Sequence, residues 1–417
     1  MKRHATVAAI RVATGLTLCL GLLATGGCER AESPPPTARA GRPTSSTPIP
    51  QPEPQPEPQA QPSARTPEAA ARAPTSGSPP STIPVRKDGT VLADSELMGT
   101  RVSINVWAGD PSTADTAAAG AAVQAAFDEM ARLEQIMSEW RSTSELSRLS
   151  DGAGGPARPL SPELLEVLLA SRRIAQDTNG AFDPTFHGVG QLWSFAPGST
   201  PPSPEQVKAK LPLVNWQGLE LDQAQGTGRL REPGMMLGLG AIGKGFAADK
   251  ASALLAARGF PDHVVEVGGD TYAAGTKGGK PWMVGIQRPH TRGVVGALPT
   301  RDRAVVTSGD YQRFFEHEGK RYAHILDPRT GWPIPADRSP KSVTLVADTA
   351  TDADAYCTAV AVMGVDAGMA FVEERAGLEA VIITQDDEIR ISRGLERELV
   401  RPPSQPAQPA PAPAQSR

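Results

Sequence analysis

Residues 101–107, RVSINVW, alternate apolar and polar side chains, the period of a strand with one buried face. Across residues 114–138 the apolar positions fall instead at Val123, Phe127, Met130, Leu133 and Met137, which is helical spacing in an alanine-rich background. Ser161-Pro162-Glu163 opens a second helix, with the serine hydroxyl as N-cap and proline in the first turn. Leu164, Leu168, Ser171 and Ile174 then mark its inner face. Further helices are expected over residues 201–211, over 241–258 with Gly259 as the stop, and over 351–364, while 371–376 close another. Strands are expected at 263–267, 282–287, 304–307, 321–325, 342–346 and 380–384. Helices and strands mix without strict alternation, so the pattern predicts an α+β fold rather than a doubly wound sheet.

The two ends follow neither pattern. Lys2, Arg3 and Arg11 precede a short apolar run, ATGLTLCLGLLATGGC, which is the layout of a secretory signal rather than a membrane span. Gly26-Gly27-Cys28 resembles a bacterial lipoprotein cleavage site, with Thr25 where such sites usually carry leucine. Residues 1–28 are therefore expected to be a lipoprotein signal, with a lipid anchor at Cys28; the alternative is a plain signal cut nearby that leaves a free thiol. Residues 29–84 hold almost no large apolar side chains and many prolines, so they are expected to form a disordered, extended tether rising about 3.1 Å per residue. Residues 401–417 have the same character, which leaves 85–400 for the folded domain. Of the three cysteines only Cys357 falls in that domain, so no disulfide staples it. The net charge of −4 and the lack of a basic run interleaved with aromatics argue against nucleic acid as a partner.

Candidate chemistry concentrates in two segments, AVVTSGDYQRFFEHEGKRYAHILDPRTGWP from residue 304 and TDADAYCTAVAVMG from residue 351. Asp354 and Thr358 are four residues apart, so on a helix both oxygens share a face and offer hard donors suited to Mg²⁺. The plainer reading is that Asp352 and Asp354 only favour the helix N-terminus. His324 lies in the expected strand before Asp327-Pro328, and an imidazole suits proton removal near neutral pH; His187 is the other histidine embedded in motif-like sequence. Thr307-Ser308-Gly309-Asp310-Tyr311 can hold phosphate oxygens or form an ordinary turn. Gly238 to Gly243 spells G-x-G-x-x-G before a helix, with Glu266 at a strand end beyond it, the spacing of a dinucleotide-binding βαβ unit. A weak preceding strand and the adjacent Lys244 fit a glycine-rich helix start facing an anion instead. Val265 to Asp270, VEVGGD, either brings backbone close to a ligand or leaves Asp270 exposed on a common turn. Asp183 is held extended by Pro184, free to cap a helix or to accept from a ribose or ring N–H. Trp140 is either a stacking platform or core.

In order along residues 95–390 stand Met98-Gly99-Thr100, MSEWRSTSELSRLS, GAFDPTFHGVGQLW, LGLGAIGKGFAAD, VEVGGD and the two segments above. Together they resemble the ApbE family of flavin transferases. The resemblance implies that FAD binds with Mg²⁺ at its pyrophosphate, that a Ser or Thr hydroxyl of an exported acceptor protein attacks the FMN-side phosphorus, and that AMP leaves. It implies Asp354, Thr358 and the Ala241 carbonyl as metal ligands and His324 as the base. Met98, Trp140, Ala181, Phe182, Asp183, Gly238, Lys244 and Leu326 would line the FAD site, with Thr307 and Ser308 near the phosphates. It also implies an exported protein, lipid-anchored and facing the periplasm or cell exterior. The chain departs from the family pattern at Gly238, where members often carry Asp, at Gly243 for Ala, at Trp140 for Tyr, and at Cys357, where some have an acid. Three other readings remain at this stage: FAD hydrolysis to FMN and AMP, a flavin-binding lipoprotein without turnover, and a nicotinamide dehydrogenase built on the G-x-G-x-x-G.

Overall fold

A computed structural model describes residues 86–401, apart from 111, 113–114, 292 and 310–312. The signal, Cys28, the tether, Asp310, Tyr311 and the tail from residue 402 lie outside the described residues. The described residues open with a hairpin of β1 (Thr90–Leu97) and β2 (Thr100–Trp107). Its turn puts both Met98 and Gly99 in the left-handed region, at φ +52° and +71°. Then come α1 (Thr116–Met137), α2 (Glu145–Asp151), the short β3 (Arg158–Pro159), α3 (Pro162–Asp177), the single-turn α4 (His187–Gly190) and α5 (Pro204–Lys210). β4 (Leu219–Asp222) and β5 (Thr227–Leu230) lead to α6 (Gly243–Ala257). A run of strands follows: β6 (His263–Val267), β7 (Asp270–Ala274), β8 (Trp282–Gln287), β9 (Val294–Thr300), β10 (Arg303–Gly309), β11 (Phe314–His317), β12 (Lys320–Ala323), β13 (Leu326–Asp327), β14 (Trp332–Pro333) and β15 (Ser342–Ala347). α7 (Ala350–Met363), α8 (Val365–Glu373), β16 (Glu379–Ile383) and β17 (Ile389–Ile391) complete the domain.

The main sheet has the order β1-β2-β6-β7-β10-β15-β16-β17, and every neighbouring pair in it is antiparallel. The α+β expectation holds. The dinucleotide-binding expectation does not: β6, the strand after the glycine-rich helix start, runs antiparallel to both β2 and β7, whereas a βαβ unit needs parallel strands. The nicotinamide reading therefore has no scaffold here.

Alternation decides which face is covered. Val102, Ile104 and Val106 of β2 and Val265 and Val267 of β6 are buried in one core with Val123, Met130 and Leu133 of α1 and Phe246, Ala247 and Ala251 of α6. β15 is buried at all six residues, because its two faces join different cores. Val343 and Leu345 pack in the helix-covered core, and Val346 packs with Ile286, Val295 and Leu298 of the β8–β9 hairpin. The Ser161 hydroxyl caps α3 by accepting from the Leu164 N–H at 3.3 Å, and Gly259 ends α6 at φ +91°.

Helices α6 and α7 are locked at one point. A Cβ on Gly245 would lie 2.1 Å from the Ala350 carbonyl oxygen, so only glycine allows this approach. Asp249 then accepts from the Ala350 and Thr351 amides at 2.8 and 2.9 Å, giving α7 an N-terminal cap borrowed from α6. This contact fixes where Asp354, one turn further on, emerges.

The strand expected over 321–325 is not continuous. β12 ends at Ala323 and pairs with β11, while β13 begins at Leu326 and pairs with β14. The chain changes partners at His324, which leaves that residue in a bend rather than a strand.

Candidate functional site

Three charged side chains converge where α6, the β6–β7 turn and α7 meet. Lys244 lies in the first turn of α6, Asp270 opens β7 directly after Gly268 and Gly269, and Asp354 lies in the second turn of α7. The lysine Nζ is 2.9 Å from Asp270 Oδ2 and 3.1 and 3.2 Å from the two Asp354 oxygens. The Gly245 amide also donates to Asp354 Oδ2 at 3.1 Å. Both aspartates are only 2% exposed. Two carboxylates facing one ammonium leave an excess negative charge away from water. Burial, followed by repulsion from Asp354, pushes the Asp270 carboxyl up to about 7, against the pull of Lys244. Burial disfavours the charged lysine, yet the two carboxylates override it and hold its pKa above the usual range. Asp270 is thus buried and ion-paired, not exposed on a common turn.

Thr358 lies one turn beyond Asp354 and is half-buried; its hydroxyl has no hydrogen-bond partner among the described residues. Ala241 is half-buried in the loop three residues ahead of Lys244. Asp354 and Thr358, one turn apart on α7, offer a carboxylate and a hydroxyl, the donor types that suit a hard cation keeping water and phosphate as its remaining ligands. Among the described residues no group of three or more His, Cys, Asp or Glu could hold a metal. Cys357 takes no part: its thiol donates to the Val343 carbonyl at 3.2 Å, and burial pushes its pKa up to about 12.

His324 lies within the electrostatic field of Lys244. Its Nδ1 is 3.2 Å from the Arg313 carbonyl, which can only accept, so Nδ1 carries the proton and Nε2 keeps its lone pair. Burial drives its pKa down to about 4, with the positive charges of Arg313 and Lys244 adding to the effect. The ring is therefore neutral at pH 7 and able to accept a proton.

The glycine-rich loop before α6 gathers the other candidates. A Cβ on Gly243 would be 3.9 Å from Met98 Cε, one on Gly240 3.3 Å from Glu139 Oε1, and one on Gly238 3.1 Å from His187 Cβ. Met98 is held in its left-handed turn by an N–H bond to Glu134 Oε2 at 3.0 Å. Trp140 is 77% exposed, with the His187 ring edge-on at 5.4 Å. Gly238 is buried, its amide bonded to the Pro184 carbonyl at 2.8 Å.

Other candidates are occupied by the fold. Both Asp183 oxygens are engaged, by the Thr185 amide and hydroxyl at 2.8 and 2.6 Å and by the Trp216 amide at 3.0 Å. Ala181 and Phe182 are buried in the main core, and Leu326 in an aromatic cluster with Trp193, Phe315 and Tyr322. Thr307 hydrogen-bonds Thr344 at 2.8 Å, and Ser308 beside it is half-buried. Sequence reasoning gave no role to Glu139 and a divided one to Asp270. The Gly268-Gly269 pair was the available signal for Asp270; nothing local signals Glu139.

The model of the ApbE family matches residues 98–382. The FAD:protein FMN transferase of Treponema pallidum (strain Nichols) is 34% identical over 316 residues, which span 72% of this chain and 86% of that protein. The FAD:protein FMN transferase of Escherichia coli (strain K12) is 33% identical over 261 residues, 61% of this chain and 74% of that protein. Among solved structures, the ApbE protein of Thermotoga maritima MSB8 superposes with a TM-score of 0.66 at 29% identity, covering 74% of this chain and 99% of that one. The flavin transferase ApbE from Vibrio cholerae gives 0.65 at 28% identity with the same coverage.

Proposed function

The chain belongs to the ApbE family, and from that premise we propose that it transfers FMN from FAD to a Ser or Thr hydroxyl of an exported acceptor protein. The bond formed joins the acceptor oxygen to the FMN-side phosphorus. The bond broken is the one from that phosphorus to the bridging oxygen, so AMP leaves. The observation that carries the reading is the buried Lys244–Asp270–Asp354 cluster with a neutral imidazole in its field.

In this reading Asp354, Thr358 and the Ala241 carbonyl hold Mg²⁺, which when bound neutralises charge on the pyrophosphate oxygens. Lys244 borders the same phosphates and holds Asp354 in place through their ion pair. His324 Nε2 removes the proton from the attacking hydroxyl. Trp140 offers its exposed face to a ring of FAD. Met98 and the backbone around Ala181, Phe182 and Leu326 form the remaining wall, and Asp183 sustains that wall through its three internal hydrogen bonds. The Thr307–Ser308 segment borders the phosphates.

The test mixes the full chain with FAD, Mg²⁺ and an acceptor domain bearing a Ser or Thr flavinylation motif. Flavin fluorescence on the acceptor band of a denaturing gel, with an equal amount of AMP in solution, is the expected result. AMP with unlabelled acceptor means water is the nucleophile; bound FAD with neither signal means the protein only stores flavin.

We also propose that the protein is exported and lipid-anchored at Cys28, a reading supported by the charged start, the apolar run and Gly26-Gly27-Cys28. In cells fed a radiolabelled fatty acid, the parent chain takes up label and fractionates with membranes. The Cys28→Ser chain takes up none; label on that variant overturns the assignment.

A further inference from the structure

His187 has no assigned role, yet its surroundings are unusual. It opens α4, is 7% exposed, and meets the indole of Trp140 edge-on at 5.4 Å and 85°. A tryptophan 77% exposed with a buried ring standing at right angles to it is a platform, not a core residue. The space His187 occupies exists because position 238 has no side chain: a Cβ there would lie 3.1 Å from His187 Cβ and 3.5 Å from its Nδ1. Gly238 is not in the left-handed region, so backbone conformation does not demand glycine at this point. What the glycine provides is room for the imidazole.

The ring nitrogens are the informative atoms. No hydrogen bond from the described residues reaches either one, and neither is among the buried polar atoms sealed without a partner. The polar edge of the ring is therefore left without a hydrogen-bond partner among the described residues. Burial lowers its pKa and no neighbouring charge opposes that, so the ring is neutral near pH 7, with one nitrogen donating and the other accepting. An unsatisfied donor–acceptor pair beside a largely exposed indole matches the edge of a heteroaromatic ring stacked on that indole. Both rings of FAD, the adenine and the isoalloxazine, carry such an edge.

Resting on the flavin-transferase reading of this site, we infer that His187 is a substrate-positioning residue. Its imidazole hydrogen-bonds the polar edge of the FAD ring that stacks on Trp140. This sets how the dinucleotide lies relative to Lys244 and His324.

Three variants of the full chain separate this role from packing. His187→Ala removes ring and polar edge, His187→Phe keeps an edge-on ring without hydrogen bonds, and His187→Asn keeps a donor and an acceptor without the ring. FAD affinity is measured by titration, with melting temperature as the fold control. The expected result is a three- to tenfold loss in the Ala and Phe variants, about one neutral hydrogen bond, with the Asn variant near the parent. Repeating the titration with AMP and with FMN identifies the ring, since only the nucleotide that carries it loses affinity. Parental affinity in the Phe variant with loss in the Asn variant makes His187 a packing residue and overturns the inference. Undiminished affinity in all three, or an unchanged response to both AMP and FMN, overturns it as well. A parent chain that binds no FAD overturns the flavin reading itself, a separate outcome.

Discussion

His324→Ala leaves FAD bound and lowers transfer to the acceptor by about 10²–10⁴-fold, the range of a lost general base. The ring is half-buried, and its bond to the Arg313 carbonyl is matched by the backbone amide of the same residue, which also donates to Arg313 at 3.0 Å. The alanine variant therefore keeps its local fold, and its melting temperature stays close to the parent. With the imidazole pKa at about 4, proton uptake by His324 lowers the parent's transfer rate only as the buffer approaches that value. The sign for stability follows the same shift. The native imidazole resists protonation more than the unfolded one, so its contribution is fully present above the unfolded value of about 6.5 and is lost as pH falls towards 4. Parent and variant are compared for FAD affinity, initial transfer rate and pH profile. Transfer within about threefold of the parent removes His324 from the role of base.

Asp354→Asn abolishes the response of transfer to Mg²⁺ and lowers its rate by about a thousandfold, the scale of several kcal/mol of lost charge stabilisation. The fold tolerates the change for a specific reason. Lys244 keeps Asp270 at 2.9 Å, so removing the Asp354 charge does not strand a buried ammonium. It also removes the repulsion that helps raise the Asp270 carboxyl. In chelator, the variant melts at or above the parent temperature. Added Mg²⁺ raises the melting temperature of the parent and leaves the variant where it was. An equal Mg²⁺ shift in both proteins would falsify Asp354 as a ligand, whatever the activity shows.

Much of the scaffold behind these residues was legible along the chain. The helical spacing over 351–364 placed Asp354 and Thr358 on one face of α7, and the observed Ala350–Met363 differs from it by one residue at each end. Ser161 marked the start of α3, and Gly259 the end of α6. The G-x-G-x-x-G misled because its letters specify a glycine-rich helix start, while sheet direction comes from pairings that short motif does not encode. The strand expected over 321–325 was wrong for a related reason: its residues read as one run, but the chain leaves the β11–β12 hairpin after Ala323 and joins a different hairpin at Leu326.

By itself the sequence determined the longer helices and several of the sheet strands, since helix and strand periods are local consequences of backbone geometry and of which side chains leave water. It also determined the order of motifs that marks the family. Tertiary structure alone decided which polar groups meet. Lys244, Asp270 and Asp354 come from three separate elements, and their contact depends on Gly245 letting α6 approach α7 and on the β6–β7 turn delivering Asp270 to that junction. The fold likewise committed both Asp183 oxygens to internal amides and a hydroxyl, and left the His187 nitrogens beside Trp140 without a hydrogen-bond partner among the described residues. Whether a carboxylate or an imidazole is satisfied, strained or available is set by burial and by neighbours distant in the chain, and no local pattern carries that information.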